Sequence, residues 1–262
     1  MTHSDSAIAA EFTAYHMIAI EGLTHLIIFE DPNSPEFFED SLPPYIPSSL
    51  TVLPWSLHTD IPDLRTPSYN GFRVWQRTFY SYCLHELKRL GVDWGIPIDS
   101  DEFYVPLVPL SSENDRRCLD VERITFDGVD SGGKFVTERF RNHAVKGGRD
   151  NRLGKQIINL KKVTEEEWRT RFDRSNHLSF NVHSPLLDCS PWSGHLNHYL
   201  RTEEEFYHRE DPRRGTEKGW FEYRKGFETV EEEVGFMTEW ITLAEKKWGK
   251  GWDSHINRVS MK

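Results

Sequence analysis

Apolar residues recur at three- and four-residue steps in some stretches and crowd into short continuous runs in others, and the two rhythms alternate along the first hundred residues. Within residues 5–21, Ile8, Phe12, Tyr15 and Ala19 share a helical face, Ser4 or Asp5 can cap the start, and Gly22 can end it. Leu26-Ile27-Ile28-Phe29 is a continuous apolar run closed by the turn-rich Asp31-Pro32-Asn33-Ser34-Pro35, the pattern of an internal parallel strand covered on both faces. A second short strand is expected over residues 50–55. A helix follows whose stripe is Phe72, Trp75, Phe79, Cys83, Leu87 and Leu90, with Gly91 as its stop. The run Trp94-Gly95-Ile96-Pro97-Ile98 reads as another buried strand. Because Pro97 removes a ladder donor, a bulge or pairing on one side only is expected there. The order helix, strand, strand, helix, strand predicts an α/β sheet.

Beyond Phe103 the pattern is less regular. Residues 121–126 and 134–140 flank the turn cluster Asp127-Gly128-Val129-Asp130-Ser131-Gly132-Gly133 and predict a hairpin. Residues 164–172 predict a short helix with Thr164 and Glu167 as a capping box. Residues 177–183 alternate like a strand. Val230, Val234, Met237, Ile241, Ala244 and Trp248 predict a terminal amphipathic helix. No repeat, low-complexity tract or dividing linker is visible, so residues 1–262 are expected to form one domain.

Composition narrows the function classes. The chain is 37% hydrophobic and carries nine Trp, which is the composition of a folding chain, not a disordered one. A formal charge of -10 argues against a sequence-independent grip on nucleic-acid polymers or anionic membranes, which rests on Lys and Arg. The three cysteines, Cys83, Cys118 and Cys189, are far apart and in no metal-ligand spacing, so neither a disulfide framework nor a zinc site is expected and a reducing compartment is the simpler reading. Residues 1–10 lack the pattern of a signal peptide, and no run approaches the roughly 18 apolar residues of a membrane span, so a cytoplasmic location is expected.

The chemistry concentrates at Asp99-Ser100-Asp101-Glu102-Phe103, directly after the run ending at Ile98. Two carboxylates at i and i+2 of an extended backbone point to one side, a way of holding a divalent cation against a diphosphate; a solvated turn or helix cap is the plain alternative. Arg73, Gln76 and Tyr80 border the core face of their helix and could look toward these aspartates. The segment Lys146-Gly147-Gly148-Arg149-Asp150-Asn151-Arg152-Leu153-Gly154-Lys155 gathers four cations and three glycines in an otherwise acidic chain, which suits a loop closing over phosphate. Asp31, just after a strand, could meet a base or ribose or could cap its turn.

These blocks carry a resemblance. Glu11-Phe12 with Tyr15-His16, Asp31-Pro32-Asn33-Ser34, Gln76 with Tyr80, Asp93-Trp94 through Phe103, Gly154-Lys155-Gln156-Ile157-Ile158, the His183 segment, Asn197-His198-Tyr199 with Arg201, Glu204-Glu205-Phe206 and Arg214-Gly215 follow one another in an order that resembles glycosyltransferases of the family 2 and family 92 type, over roughly residues 11–215. The resemblance implies a GT-A-like Rossmann-type mixed sheet flanked by helices, with residues 1–103 as the nucleotide-sugar-binding half and 104–262 as the acceptor and metal-completing half. In that family a buried strand precedes the helix bearing the Glu11 counterpart, whereas only Met1 to Ser4 stands before it here, so the usual first strand is missing from the pattern.

The implied activity is metal-dependent transfer of a sugar from a nucleotide-diphosphate donor, expected to be a UDP-sugar, to a hydroxyl of a glycan or other acceptor, with inversion. The implied cofactor is Mn2+ or Mg2+, since hard oxygen ligands suit both and an imidazole tilts the site toward Mn2+. The metal ligands are expected to be Asp101 directly, Asp99 through water or instead on the ribose, and His183 from the later half. Asp31, Gln76, Asp99, Arg152, Lys155 and His198 are the expected nucleotide-sugar contacts. Glu102, Asp188 and Glu205 are the open candidates for the base that takes the acceptor proton, and Trp192 and His195 could stack on an acceptor sugar. Two other classes remain: a metal-dependent hydrolase, against which no His-Glu-x-x-His occurs, and a non-catalytic carbohydrate-binding protein with a decayed cleft.

Overall fold

The computed structural model describes residues 6–30, 50–54, 69–113, 115–126, 132–140, 142–144, 154–172, 181, 183–199, 229–231 and 236–255. Helix α1 (Ser6–Ala19) buries Ile8, Phe12 and Tyr15, as its spacing predicts. Strand β1 (Leu26–Glu30) runs parallel to β2 (Leu50–Pro54). It was expected to be internal, but among the described residues β2 is its one ladder partner. Helix α2 (Tyr69–Arg89) buries Phe79, Tyr80, Cys83 and Leu84.

The second sheet has seven strands and is built around the long β5 (Cys118–Phe126). On one edge, Cys118–Val121 of β5 pair antiparallel with β7 (Lys155–Asn159), and Phe126 meets His143 of β6 (Asn142–Ala144). On the other edge, β5 runs parallel to β8 (Ser190–Tyr199), with an irregularity between Asp120 and Glu122. Beyond these lie β3 (Trp94–Gly95) on β7, β4 (Glu102–Val105) on β8 and β9 (Thr229–Glu231) on β6, all antiparallel. Among the described residues the run 94–98 is paired only over Trp94 and Gly95 and on one side, so the strand expected through Ile98 stops before Pro97, which has no N–H to give a ladder. The architecture is mixed α/β, a curled mixed sheet flanked by helices. No helix among the described residues is long and apolar enough to cross a membrane.

Four expectations are corrected. First, residues 134–140 do not form a hairpin strand: Val136–Arg139 is a helical turn, α3. The distant Glu11 carboxylate accepts the Val136 and Thr137 N–H groups, and Glu138 accepts those of Lys134 and Phe135, so the free donors of a helix start are satisfied. Second, the terminal helix α5 starts at Phe236 and ends at Trp248, because Val230 belongs to β9 opposite His143. Third, Cys118 and Cys189 form a disulfide. The parallel register sets Leu119 against Ser190, so the residues just before them become neighbours, 4.9 Å apart at Cα, and sequence spacing cannot show this. Fourth, β8 was not anticipated, since Pro191 and Gly194 disguise its alternation. Residues 173–180, most of the strand expected over 177–183, lie outside the described residues. The capping box of α4 (Glu165–Thr170) is formed as predicted.

The core divides by sheet face. Phe103, Val105, Phe126 and Tyr199 pack with α1, α3 and α5, and Ile158 and Cys118 pack with α2 and α4. Tyr104, Leu119, Val121, Ile157 and Leu196 make a third cluster on the opposite side of their strands. That third face carries the polar side chains described next.

Candidate functional site

Strand register explains why one face collects charge from four strands. Val121 lies opposite Lys155, Arg123 opposite Leu196, Thr125 opposite His198, and His198 opposite Glu102. Directly opposite residues share a face, so Lys155, Arg123, His198 and Glu102 stand on the side of Ile157 and Leu196. Gly154 admits β7 this close to β5: a Cβ on it would lie 2.1 Å from the Val121 carbonyl oxygen.

Residues 99–102 close a turn rather than continuing a strand, with the Glu102 N–H donating to the Asp99 carbonyl at 3.0 Å. The ladder strand begins at Glu102, after the acidic motif, so strand alternation is not what brings the two aspartates together. Side chains hold the turn. Asp99 Oδ1 accepts from Gln76 Nε2 at 2.7 Å and from the Tyr80 hydroxyl at 2.5 Å, while Glu102 Oε2 accepts the Asp99 N–H at 2.9 Å. The Lys155 ammonium, its side chain fully buried, lies 2.9 Å from Asp99 Oδ2 and 3.3 Å from Glu102 Oε2. It also sits 5.2 Å from the Tyr80 ring centre.

Burial opposes charge on Asp99, but the Lys155 ammonium and the Tyr80 hydroxyl outweigh it and hold this carboxyl well below the usual range. Burial raises Glu102 despite Lys155. Lys155 stays charged, because Asp99 and Glu102 overcome the desolvation that would lower it. Asp101 has a different role. Its carbonyl accepts the Tyr199 N–H at 3.0 Å, and its Oδ2 lies 3.6 Å from His198 Nε2. The His198 Nδ1 is buried with no hydrogen-bond partner among the described residues.

His183 stands at the Lys155 end. Its ring Nδ1 lies 3.1 Å from the Gly154 carbonyl, which fixes the tautomer with the proton on Nδ1 and leaves a lone pair on Nε2. Burial, then Lys155 and more weakly Arg123, lower its pKa to about 4, so the ring is neutral near pH 7. It was expected beside Asp101; the imidazole found there is that of His198. Among the described residues no three His, Cys, Asp or Glu side chains gather as a closed metal cage. An open site is a different matter, since Mg2+ and Mn2+ keep waters and substrate phosphates and need only one or two protein ligands. Asp101, whose Oδ2 lies 3.6 Å from the Nε2 of His198, has oxygen and imidazole donors of the kind such a site uses. Asp99 already accepts from Gln76 and Tyr80 on Oδ1 and from Lys155 on Oδ2.

The other predicted residues divide clearly. Gln76, Asp99, Asp101, Glu102, Lys155 and His198 come together, with His183 beside Lys155. Asp188 does not join them: it sits exposed in a left-handed turn (φ 60°) before the disulfide. The neighbouring Leu186 is held by Gln156, which points to the opposite face of β7 from Lys155. Glu102 is 1% exposed and engaged by Lys155, a supporting position rather than that of a solvent-facing base. Trp192 donates its Nε1–H to the Tyr104 hydroxyl at 2.8 Å. Asp31, Arg152 and Glu205 lie outside the described residues. Arg123, 7% exposed, was missed, and no spacing could reveal it, because only the β5 register turns it toward Lys155.

A cavity of about 1020 Å³ opens on the same face. Ile157, Tyr104 and Ile98 form one wall, Leu26 and Ile28 another, and Tyr80 and Ser100 border it next to the acidic turn. No family model matches the chain, and no curated protein or solved structure is similar to it.

Proposed function

We propose that the chain is a metal-dependent glycosyltransferase that takes a sugar from a nucleotide-diphosphate donor, with a UDP-sugar as the first donor to test. One observation carries the reading. Gln76 and Tyr80, the Asp99–Glu102 turn, Lys155, His183 and His198 come from five separate stretches of sequence, the same ones whose order resembles that family, and they converge on one sheet face beside a cavity. The cavity is large enough for a nucleoside with its sugar.

Transfer with inversion requires an acceptor hydroxyl to attack the anomeric carbon while the bond to the diphosphate oxygen breaks and its electron pair leaves with the diphosphate. A bound Mn2+ or Mg2+, held by Asp101 and His198, would supply charge neutralisation for that leaving group. The chain's own residues prepare the site. Gln76, Tyr80 and Lys155 lock Asp99 as an anion in one orientation, and Lys155 also anchors Glu102, so the turn presents Asp101 with little freedom to move. His183 is held neutral, with a lone pair for a donor hydroxyl or an ion.

The test is release of nucleoside diphosphate from UDP- and GDP-sugars, and of CMP from CMP-sugars, with and without Mn2+, beside thermal shifts with the same ligands. One donor should stabilise the protein only with metal. Asp101→Asn should cut turnover at least about 100-fold with the melting temperature unchanged, the loss of a metal ligand rather than of the fold. Failure of every nucleotide sugar to bind, with or without metal, would sink the reading.

A further inference from the structure

We infer that Arg123 is a substrate-binding residue, the one that grips the anionic phosphates of the ligand on the sheet face next to Lys155. The inference rests on the reading above for the identity of the ligand, but its geometry is independent of it.

Arg123 stands two residues along β5 from Val121, which lies opposite Lys155, so the two cations are neighbours on one face. It lies opposite Leu196 of β8, and Leu196 in turn lies opposite Tyr104, a wall of the cavity. Ile157, also a cavity wall, is two residues from Lys155, a step of about 7 Å at the strand rise of roughly 3.3 Å per residue. The cations thus stand on the strands that wall the cavity, about one ligand group away from it along β7. His183 feels Lys155, Arg123 and Asp99 together, which places all four groups in one electrostatic neighbourhood.

Charge makes the assignment sharper. The acidic turn brings three carboxylates, Asp99, Asp101 and Glu102, and the Lys155 ammonium is bound to two of them. A phosphate arriving beside that turn meets excess negative charge, so a second fixed cation is needed on its path. Arg123 is such a cation. Its planar fork can donate two parallel N–H bonds to phosphate oxygens, which an ammonium cannot do.

The experiment titrates inorganic pyrophosphate and, separately, uridine into the full chain by calorimetry. Arg123→Met should weaken pyrophosphate binding about 10- to 100-fold, the loss of charge-assisted hydrogen bonds, and leave uridine unchanged. Arg123→Lys keeps a cation without the fork and should fall between the two. Because Arg123 is buried and the Met variant could lose the fold, the wild-type Arg123 Nε–H resonance is followed during the pyrophosphate titration, assigned by its absence in Arg123→Lys. It should shift with saturation. Unchanged pyrophosphate affinity in a folded variant, equal losses for pyrophosphate and uridine, a stationary resonance, or no pyrophosphate binding by the wild type would each overturn the inference. Arg123-dependent pyrophosphate binding without sugar transfer from any donor would keep the anion site and remove the transferase.

Discussion

Two buried carboxylates, Glu11 and Glu102, sit at comparable depth and burial raises the pKa of both, but their neighbours differ. Glu11 is 2% exposed and Glu102 1%, and each accepts backbone N–H. Among the described residues Glu11 meets Val136, Thr137 and Glu138 and no cation, and burial, against three hydrogen bonds, pushes its pKa up to about 7. Glu102 shares an ammonium with Asp99. The comparison separates scaffold from site. In the α1–α3–α5 half a carboxyl group ties a helix start to another helix and can do so with or without its charge. In the acidic turn the Lys155 ammonium keeps Asp99 charged and offsets part of the burial that raises Glu102.

The largest effect should therefore come from removing the shared cation. Lys155→Met leaves Asp99 and Glu102 facing each other with no counter-ion, and breaking a buried pair this way costs about 3–5 kcal/mol. Urea unfolding at pH 7 should show it, and Lys155→Met with Asp99→Asn should recover part of the loss. An unaltered midpoint in the single variant would mean that the ammonium does not hold the turn. Next in size is the Cys118–Cys189 bridge, which links residues 71 apart in sequence; removing a disulfide typically costs about 2–4 kcal/mol. Cys189→Ser should lower the melting temperature, and a reductant should bring the wild type down to the variant. A wild type indifferent to reductant would show the thiols to be unpaired in solution.

Legibility in the sequence follows the same division. Helical stripes made α1 and α2 readable, and Thr164 with Glu167 marked the capping box, because these features depend on residues within one or two turns. The acidic motif and Lys155 were readable as chemistry, and the structure joins them. Features that depend on register were not. The disulfide exists because two strands align, Arg123 joins Lys155 because β5 and β7 align, and residues 134–140 turn helical because a carboxylate 125 residues away accepts the Val136 N–H. A periodic pattern cannot carry such information.

Glu11 offers a pH test of its half of the molecule. Its carboxyl is raised from 4.5 to about 7 in the fold, so between these values the folded chain holds a proton that the unfolded chain has released. The stabilisation is complete below about pH 4.5 and is lost as pH rises through about 7. Relative to Glu11→Gln, which cannot ionise, the wild type should lose on the order of 2–3 kcal/mol between pH 5 and pH 8. Parallel stability curves for the two proteins would show that Glu11 keeps one charge state throughout.

The smallest effect isolates burial as the cause. Glu138 also accepts backbone N–H at the start of α3, from Lys134 at 3.0 Å and Phe135 at 3.1 Å, but it is only partly buried. Its removal takes away a cap at the start of α3. Glu138→Ala should cost about 1 kcal/mol, by the usual value of capping interactions, and leave most of the Glu11 pH dependence between pH 5 and pH 8 in place, because Glu138 is the weakest of the causes that act on Glu11. The double variant with Glu11→Gln should be flat across that range. If Glu138→Ala instead removed the pH dependence assigned to Glu11, the charge of Glu138 rather than desolvation would be what raises the Glu11 carboxyl.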